Sequence, residues 1–308
     1  MRRARLFFGT ASDPKQLLPF APFGLVHRLP GAWSLAIIGR DSWVATDMTE
    51  LRYDEEATKR LLAVYVTPDV VAQRQRFLRA LNPKLGESLL DVGSGPGFLA
   101  ASIAEATGPT GVVRGIDVSE PMIDMARKHC AHLAWTEFSQ GDATNLPFPD
   151  DSFDAAISTQ VLEYVRDVDR ALAEMYRVVR TAGRVVIVDT DWDSIVWHSS
   201  DRERMNRVLA AWEEHAADPY LPRTSVDKLI RAGFCIESQE VIPLFNPSFD
   251  PNTYSNRLID LIVPFVTGRL EIDSNEATIW ADELRKAGND GQYFFSLNRY
   301  LFVAKKLQ

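Results

Sequence analysis

Cysteine is scarce in this chain: only Cys130 and Cys235 occur in 308 residues, far apart, and neither forms a CxxC pair or stands at metal-ligand spacing from a histidine. A disulfide framework and a zinc site are thereby excluded, and no metal is expected. Two lone buried thiols fit a reducing compartment, read here as cytoplasmic. Long apolar runs are also missing. The longest, such as Leu258–Val266, are broken by Asp260 and Pro264 and fall short of the roughly 20 residues that a membrane-spanning helix needs, so no membrane span is expected. Basic excess is absent too. The formal charge is −8, and beyond residue 47 there are 28 basic against 39 acidic side chains. A body that acidic does not attract a nucleic-acid backbone, so no nucleic-acid partner is expected. What remains is 46% apolar and 25% charged, with 17 glycines and 17 prolines. That composition excludes disorder, collagen and coiled coil and describes a globular chain of one large or two ordinary domains.

Residues 1–47 differ from the rest. They open with Arg2, Arg3 and Arg5 around Leu6-Phe7-Phe8 and pass through Pro14, Pro19, Pro22 and Pro30 without a sustained period. Three readings stand open for this poorly patterned extension: a targeting segment, an upstream stretch from a misassigned start before Met48-Thr49-Glu50, or ordered structure. A secretory signal fits badly, because the apolar stretch is short and no A-x-A site follows.

Residues 48–308 read as one domain. Helical period begins at Glu55–Val66 and restarts at Pro68–Leu81, with Thr67 as N-cap, Pro68 at the first helical position and Asp69 in the first turn. These make N-terminal cap helices within 48–84. Strand character then appears at Ser88–Val92, Val112–Ile116, Ala134–Ser139, Phe153–Ile157 and Arg184–Val188, with helical period at Phe98–Ala106, Pro121–His132 and Val168–Val179. Such alternation predicts an α/β fold: a doubly wound, mostly parallel sheet with ligands at the carboxyl ends of its strands.

Chemistry starts at the first strand end, Asp91-Val92-Gly93-Ser94-Gly95-Pro96-Gly97. Glycines at alternate positions let the backbone turn sharply and approach a ligand without a Cβ in the way, and the helix that follows offers free N–H groups. Gly95–Ala100 also fits the G-x-G-x-x-G/A dinucleotide pattern with Asp117 at its expected distance. Asp117, at the end of the second strand, can accept both hydrogen bonds of a ribose diol. A third segment, Gly141-Asp142-Ala143-Thr144-Asn145, is foreign to the dinucleotide pattern and stands where a polar side chain and adjacent backbone can bind an adenine edge.

Over about Val70–Val188 these residues resemble the class I S-adenosylmethionine-dependent methyltransferases, in particular the ubiquinone/menaquinone-biosynthesis-like (methyltransferase type 11) small-molecule branch. The resemblance implies a seven-stranded Rossmann-like methyltransferase fold with an inserted helical lid, and S-adenosyl-L-methionine as cofactor. It implies that Asp91, Gly93, Ser94, Gly95 and Gly97 hold the methionine part and Asp117 the ribose hydroxyls, with Val118 and Met122 in the same site. Asp142 would read the adenine amino group beside Ala143, and Gln160 would lie under the methionine and sulfonium. The blander roles are a turn residue for Asp142 and a helix-start residue for Gln160. The family usually places Pro-Gly-Gly before its fifth strand, whereas this chain has Arg180-Thr181-Ala182-Gly183, in which Gly183 is expected to take the positive-φ position. No Asn-Pro-Pro-Tyr motif is present, which argues against exocyclic base amines as acceptors, and two cysteines cannot supply the three that arsenite methylation would need.

By that resemblance the cofactor-binding core spans 85–190, and 191–308 carries the remaining strands with substrate-lid insertions. An inserted helix is expected within Ser199–Asp218, another from Leu221 toward Gly233, a strand at Cys235–Ile242, a long insertion at Asn246–Gly291 and a final strand within Gln292–Ala304. Trp192, Trp197, Trp212, Phe245, Phe249, Tyr254, Phe265 and Trp280 in these parts suggest a small apolar or aromatic acceptor, although aromatics at helical spacing also serve as core. Methyl transfer from a sulfonium needs mainly positioning. Where a proton must leave the acceptor, His198 and Asp191 after the fifth strand, and Tyr164 and Glu163 after the fourth, are the candidate bases. Alternatives remain: an inactive S-adenosylmethionine-binding protein, or an NAD(P)-dependent oxidoreductase.

Overall fold

The computed structural model describes residues 55–307, with side chains from Lys59 onward; the 1–47 extension and the Met48–Glu50 start lie outside the described residues. Helices α1 (Glu55–Tyr65) and α2 (Pro68–Leu81) come first. Thr67 occupies the N-cap position of α2 with extended backbone, but its hydroxyl donates back to the Val64 carbonyl at 2.9 Å instead of capping the helix. Together with the Thr67 N–H, which donates to the same carbonyl at 3.2 Å, that bond closes the α1–α2 corner. Asn82, at φ 50°, ends α2 by donating its N–H to the Leu78 carbonyl.

Next come β1 (Ser88–Val92), α3 (Phe98–Thr107), β2 (Val112–Asp117), α4 (Glu120–His129), β3 (Thr136–Gln140), β4 (Phe153–Thr159), α5 (Val168–Val178) and β5 (Val179–Trp197). They are followed by α6 (Arg202–Glu213), α7 (Ser225–Arg231), β6 (Phe234–Asn246), α8 (Tyr254–Val266), α9 (Ser274–Asn289) and β7 (Phe295–Lys306). The strands form a seven-stranded sheet in the order β3-β2-β1-β4-β5-β7-β6, parallel from β3 to β5 and antiparallel where β7 pairs with β5 and β6.

Alternate residues of each strand feed opposite faces, as the period of two demands. Leu89, Val186, Val188, Leu301 and Val303 pack with α2, α3 and α4, whereas Leu90, Val185, Ile187, Phe302 and Ala304 pack with α5 and α7. A third cluster joins α6, α8 and α9 around Trp280, which is fully buried, and reaches Val64 and Val70 of the first two helices. Emptying such a site by Trp→Ala costs roughly 3–5 kcal/mol, so these helices are held as a packed body beside the strand ends. No helix among the described residues is long and apolar enough to cross a membrane.

Three expectations need correction. The positive φ before β5's core falls on Ala182, at 65°, and not on Gly183. Gly183 is needed for close approach instead, since a Cβ there would lie 2.8 Å from the Arg180 carbonyl and 2.9 Å from that of Asp154. The fifth strand, expected to end at Val188, continues to Trp197, because β7 pairs with it through a register shift between Asp191 and Val196. Finally, Cys130 is buried but Cys235 is exposed on β6.

Candidate functional site

The glycine loop leaves β1 with Gly93, Gly95 and Gly97 at φ 74°, 52° and 81°, all in the left-handed region that side chains resist. The N–H groups of Gly93 and Ser94 both donate to the Ile116 carbonyl at 2.8 Å, tying the loop to the end of β2. Gly93 packs directly against the Val161 side chain, whereas a Cβ on Gly95 would meet nothing within 4 Å. One glycine is thus required by its neighbour, and the other leaves backbone open. Asp91, at the foot of the loop, is buried, and neither carboxylate oxygen has a partner among the described residues. Burial, helped by the Asp117 charge, pushes its carboxyl up to about 7.

Asp117 braces the loop from β2: one oxygen accepts from Gly95 N–H and the other from Ser119 N–H, each at 2.9 Å. Burial raises its carboxyl, and those two bonds oppose the rise. A carboxylate has about four lone-pair sites, so two remain for a ligand. Asp142 accepts from the N–H and hydroxyl of Thr144, the turn role weighed for it. Gln160 sits at φ 57° just past β4, its backbone N–H donating to Val188 O at 2.7 Å and its side-chain Oε1 accepting from the Thr190 hydroxyl.

A cavity of about 630 Å³ opens at these strand ends. Gly93, Gly95, Asp117, Val118, Met122, Asp142, Ala143 and Gln160 line it, joined by Tyr164; Asp91, Ser94 and Gly97 do not line it. The opposite wall is built from β5, α6, α8 and β7 by Trp192, Trp212, His215, Tyr254, Leu258 and Arg299.

Residues 90–187 match the methyltransferase-domain family. Over that stretch, from β1 into β5, the chain is similar to a methyltransferase domain. The chain is 37% identical over 173 residues to an uncharacterized 37.1 kDa protein in transposon TN4556 of Streptomyces fradiae, covering 54% of this chain and 48% of that one. It is 37% identical over 120 residues to the demethylmenaquinone methyltransferase of Lactobacillus johnsonii, covering 38% and 49%. The chain therefore spans about half the length of the curated relatives it matches. Among solved structures, phosphoethanolamine N-methyltransferase 2 of Haemonchus contortus, in complex with S-adenosyl-L-methionine, superposes with a TM-score of 0.55 at 18% identity, covering 83% of this chain and 58% of that one; this likeness shows the fold.

The candidate bases are dispersed. Tyr164 lines the cavity. Asp191 is buried in a bidentate pair with Arg223, both bonds 2.9 Å, and the same guanidinium reaches Asp193 at 2.6 Å; this carboxylate straps β5 to the turn at 221–223 and does not line the cavity. His198 lies at the far end of β5 in a different hollow, beside Trp197, Arg202 and Phe294. The register shift in β5 carries it away from the glycine loop. Glu163 is fully buried, accepting from Thr190 N–H at 2.7 Å, next to Asp189, which accepts from Val161 N–H at 3.1 Å. Burial raises both carboxyls, and the Asp189 charge raises Glu163 further, while Arg299 opposes both.

Two cavity residues had no signal in the sequence. Arg299, buried on β7, donates to Gln73 at 2.6 Å and lies over the Tyr254 ring. His215 follows α6, buried with its ring stacked on Trp212 at 4.0 Å and edge-on to Trp192 at 4.5 Å. Apart from Trp212, their neighbours come from distant parts of the chain, so spacing could not find them; Trp192 and Trp212 were at least visible as aromatics beyond the fifth strand.

Proposed function

We propose that this chain transfers the methyl group of S-adenosyl-L-methionine to a small apolar or aromatic acceptor. The observation that carries this reading is the meeting, in one cavity, of the glycine loop and its acids with a wall of tryptophan and tyrosine. When bound, the cofactor supplies a methyl on a positively charged sulfur, which an acceptor lone pair displaces in line.

The residues fit such a ligand. Asp91, with two buried and unpartnered oxygens, is a ready acceptor for hydrogen-bond donors near the loop, and Gly95 leaves room for close approach. Gly93, Ser94 and Gly97 shape that loop for the methionine part. Asp117 keeps lone pairs for the ribose hydroxyls, beside Val118 and Met122. Asp142 and Ala143 take the adenine edge, and Gln160 lies toward the methionine. In this reading 85–190 holds the cofactor while 48–84 and 191–308 provide cap and lid. The lid aromatics exclude water and hold the acceptor, which supplies the orientation that methyl transfer chiefly requires. Asp191 and His198 take no part; Tyr164 is the sequence-named base that borders the acceptor space.

Calorimetric titration with S-adenosylmethionine, S-adenosylhomocysteine and NAD(H) tests the assignment. Micromolar binding of the first two and none of NAD(H) is expected, followed by release of S-adenosylhomocysteine when an apolar acceptor library is supplied. Binding of NAD(H) instead would overturn the cofactor assignment, and binding without turnover would indicate an inactive binder.

A further inference from the structure

Resting on that reading, the unpaired polar atoms of the acceptor wall bear on what the cavity can take: the indole N–H groups of Trp192 and Trp212 are donors without a partner among the described residues, and His215 carries an acceptor without one. The Nδ1 of His215 lies against the Trp212 carbonyl oxygen. A carbonyl can only accept, so Nδ1 carries the proton and Nε2 bears a lone pair. Nε2 is buried and has no partner among the described residues. A buried acceptor left unpaired is costly, so its retention in an aromatic cage calls for a partner that arrives with a ligand. The ring's neighbours are Trp212 on α6, Trp192 on β5, Phe265 on α8 and Tyr164 after β4; among them only Tyr164 is ionisable. Burial pushes the imidazole down to about 4, so the lone pair is free at neutral pH.

We propose that His215 is a specificity-determining residue whose Nε2 accepts a hydrogen bond from the methyl acceptor, so that the cavity selects an apolar molecule carrying an O–H or N–H donor. The aromatic wall takes the apolar body, and His215 rejects analogues that lack the donor, because they leave Nε2 unpaired.

The probes are 4-ethylphenol and its methyl ether, 4-ethylanisole, titrated in the presence of S-adenosylhomocysteine and followed by tryptophan fluorescence. Wild-type protein is expected to bind the phenol at least about ten-fold more tightly than the ether, and His215→Phe, which keeps the ring stack but lacks Nε2, to bind the two equally. The same preference in both proteins overturns the role of His215, and failure of the wild type to bind either probe overturns the ligand class. Calorimetry with S-adenosylhomocysteine on each protein separates this from the underlying reading: loss of that binding in the wild type refutes the methyltransferase reading and the inference with it. A second measurement needs no variant. In long-range 1H–15N spectra of the wild type, with five histidines in the chain, the phenol should move the Nε2 resonance of His215 away from that of an unpaired lone pair and the ether should not. An unmoved resonance with bound phenol overturns the proposal.

Discussion

Replacing Gly93 by alanine is expected to damage this protein more than the same change two residues on, at Gly95. Both positions are left-handed, at φ 74° and 52°, and placing a Cβ on such backbone costs roughly 1–2 kcal/mol. A gain of about 0.4–1 kcal/mol from restricting the unfolded chain offsets part of this at either site. At Gly95 the account stops there, since nothing lies within 4 Å of the new methyl. At Gly93 the methyl would stand 2.8 Å from Val161 Cγ1 and nearer still to Cγ2. Val161 cannot swing aside freely: it is β-branched and stiff at χ1, and its N–H is held by Asp189 at 3.1 Å. Relieving that overlap adds roughly 1–3 kcal/mol. Urea unfolding should therefore show Gly93→Ala about 1–3 kcal/mol less stable than Gly95→Ala, and adding Val161→Ala to Gly93→Ala should recover part of the gap. Equal midpoints for the two glycine variants, or no recovery in the double variant, would refute the close packing of loop and strand end on which the site is built.

Asp117→Ala should weaken S-adenosylhomocysteine binding by about 1–3 kcal/mol through lost hydrogen bonds; unchanged calorimetric affinity in a folded variant would remove Asp117 from the site. Asp91 has a carboxyl raised in the folded state to about 7, so between the ordinary value near 4 and about 7 the native state holds a proton that the unfolded state releases. Its contribution is greatest below that window and is lost as pH rises through it, so Asp91→Asn should flatten this part of a plot of unfolding free energy against pH, and an identical slope would contradict the burial argument. His198→Ala, in the separate hollow, should leave S-adenosylhomocysteine affinity unchanged and stability within about 0.5 kcal/mol; a several-fold loss of affinity would place His198 back at the cavity.

Local signals carried the sequence reading furthest. Pro68–Leu81 was predicted with the bounds it has, because a proline at the first helical position and Asn82-Pro83 at the end mark both limits within the segment itself. The corner residue Thr67 was misread in detail, since the choice between capping forward and bonding back depends on where α1 ends. His198 looked like a site residue because a polar run follows the fifth strand; pairing with β7 turned that run into more strand and took the histidine elsewhere. His215 and Arg299 stayed invisible because each acquires its meaning from partners more than twenty residues away, such as Trp192 and Gln73.

By itself, the sequence determined the alternating core and the glycine-loop side of the cavity: short strands, the glycine loop and the acids Asp117 and Asp142 are each marked within their own stretch of chain, and the backbone's own geometry places them at strand ends. Tertiary structure alone decided the aromatic side. That wall is assembled from β5, α6, α8 and β7, whose meeting is governed by packing around Trp280 and by antiparallel pairing of the last strands. Burial of this kind is non-directional and depends on the whole chain, so no local pattern could announce which histidine it would enclose.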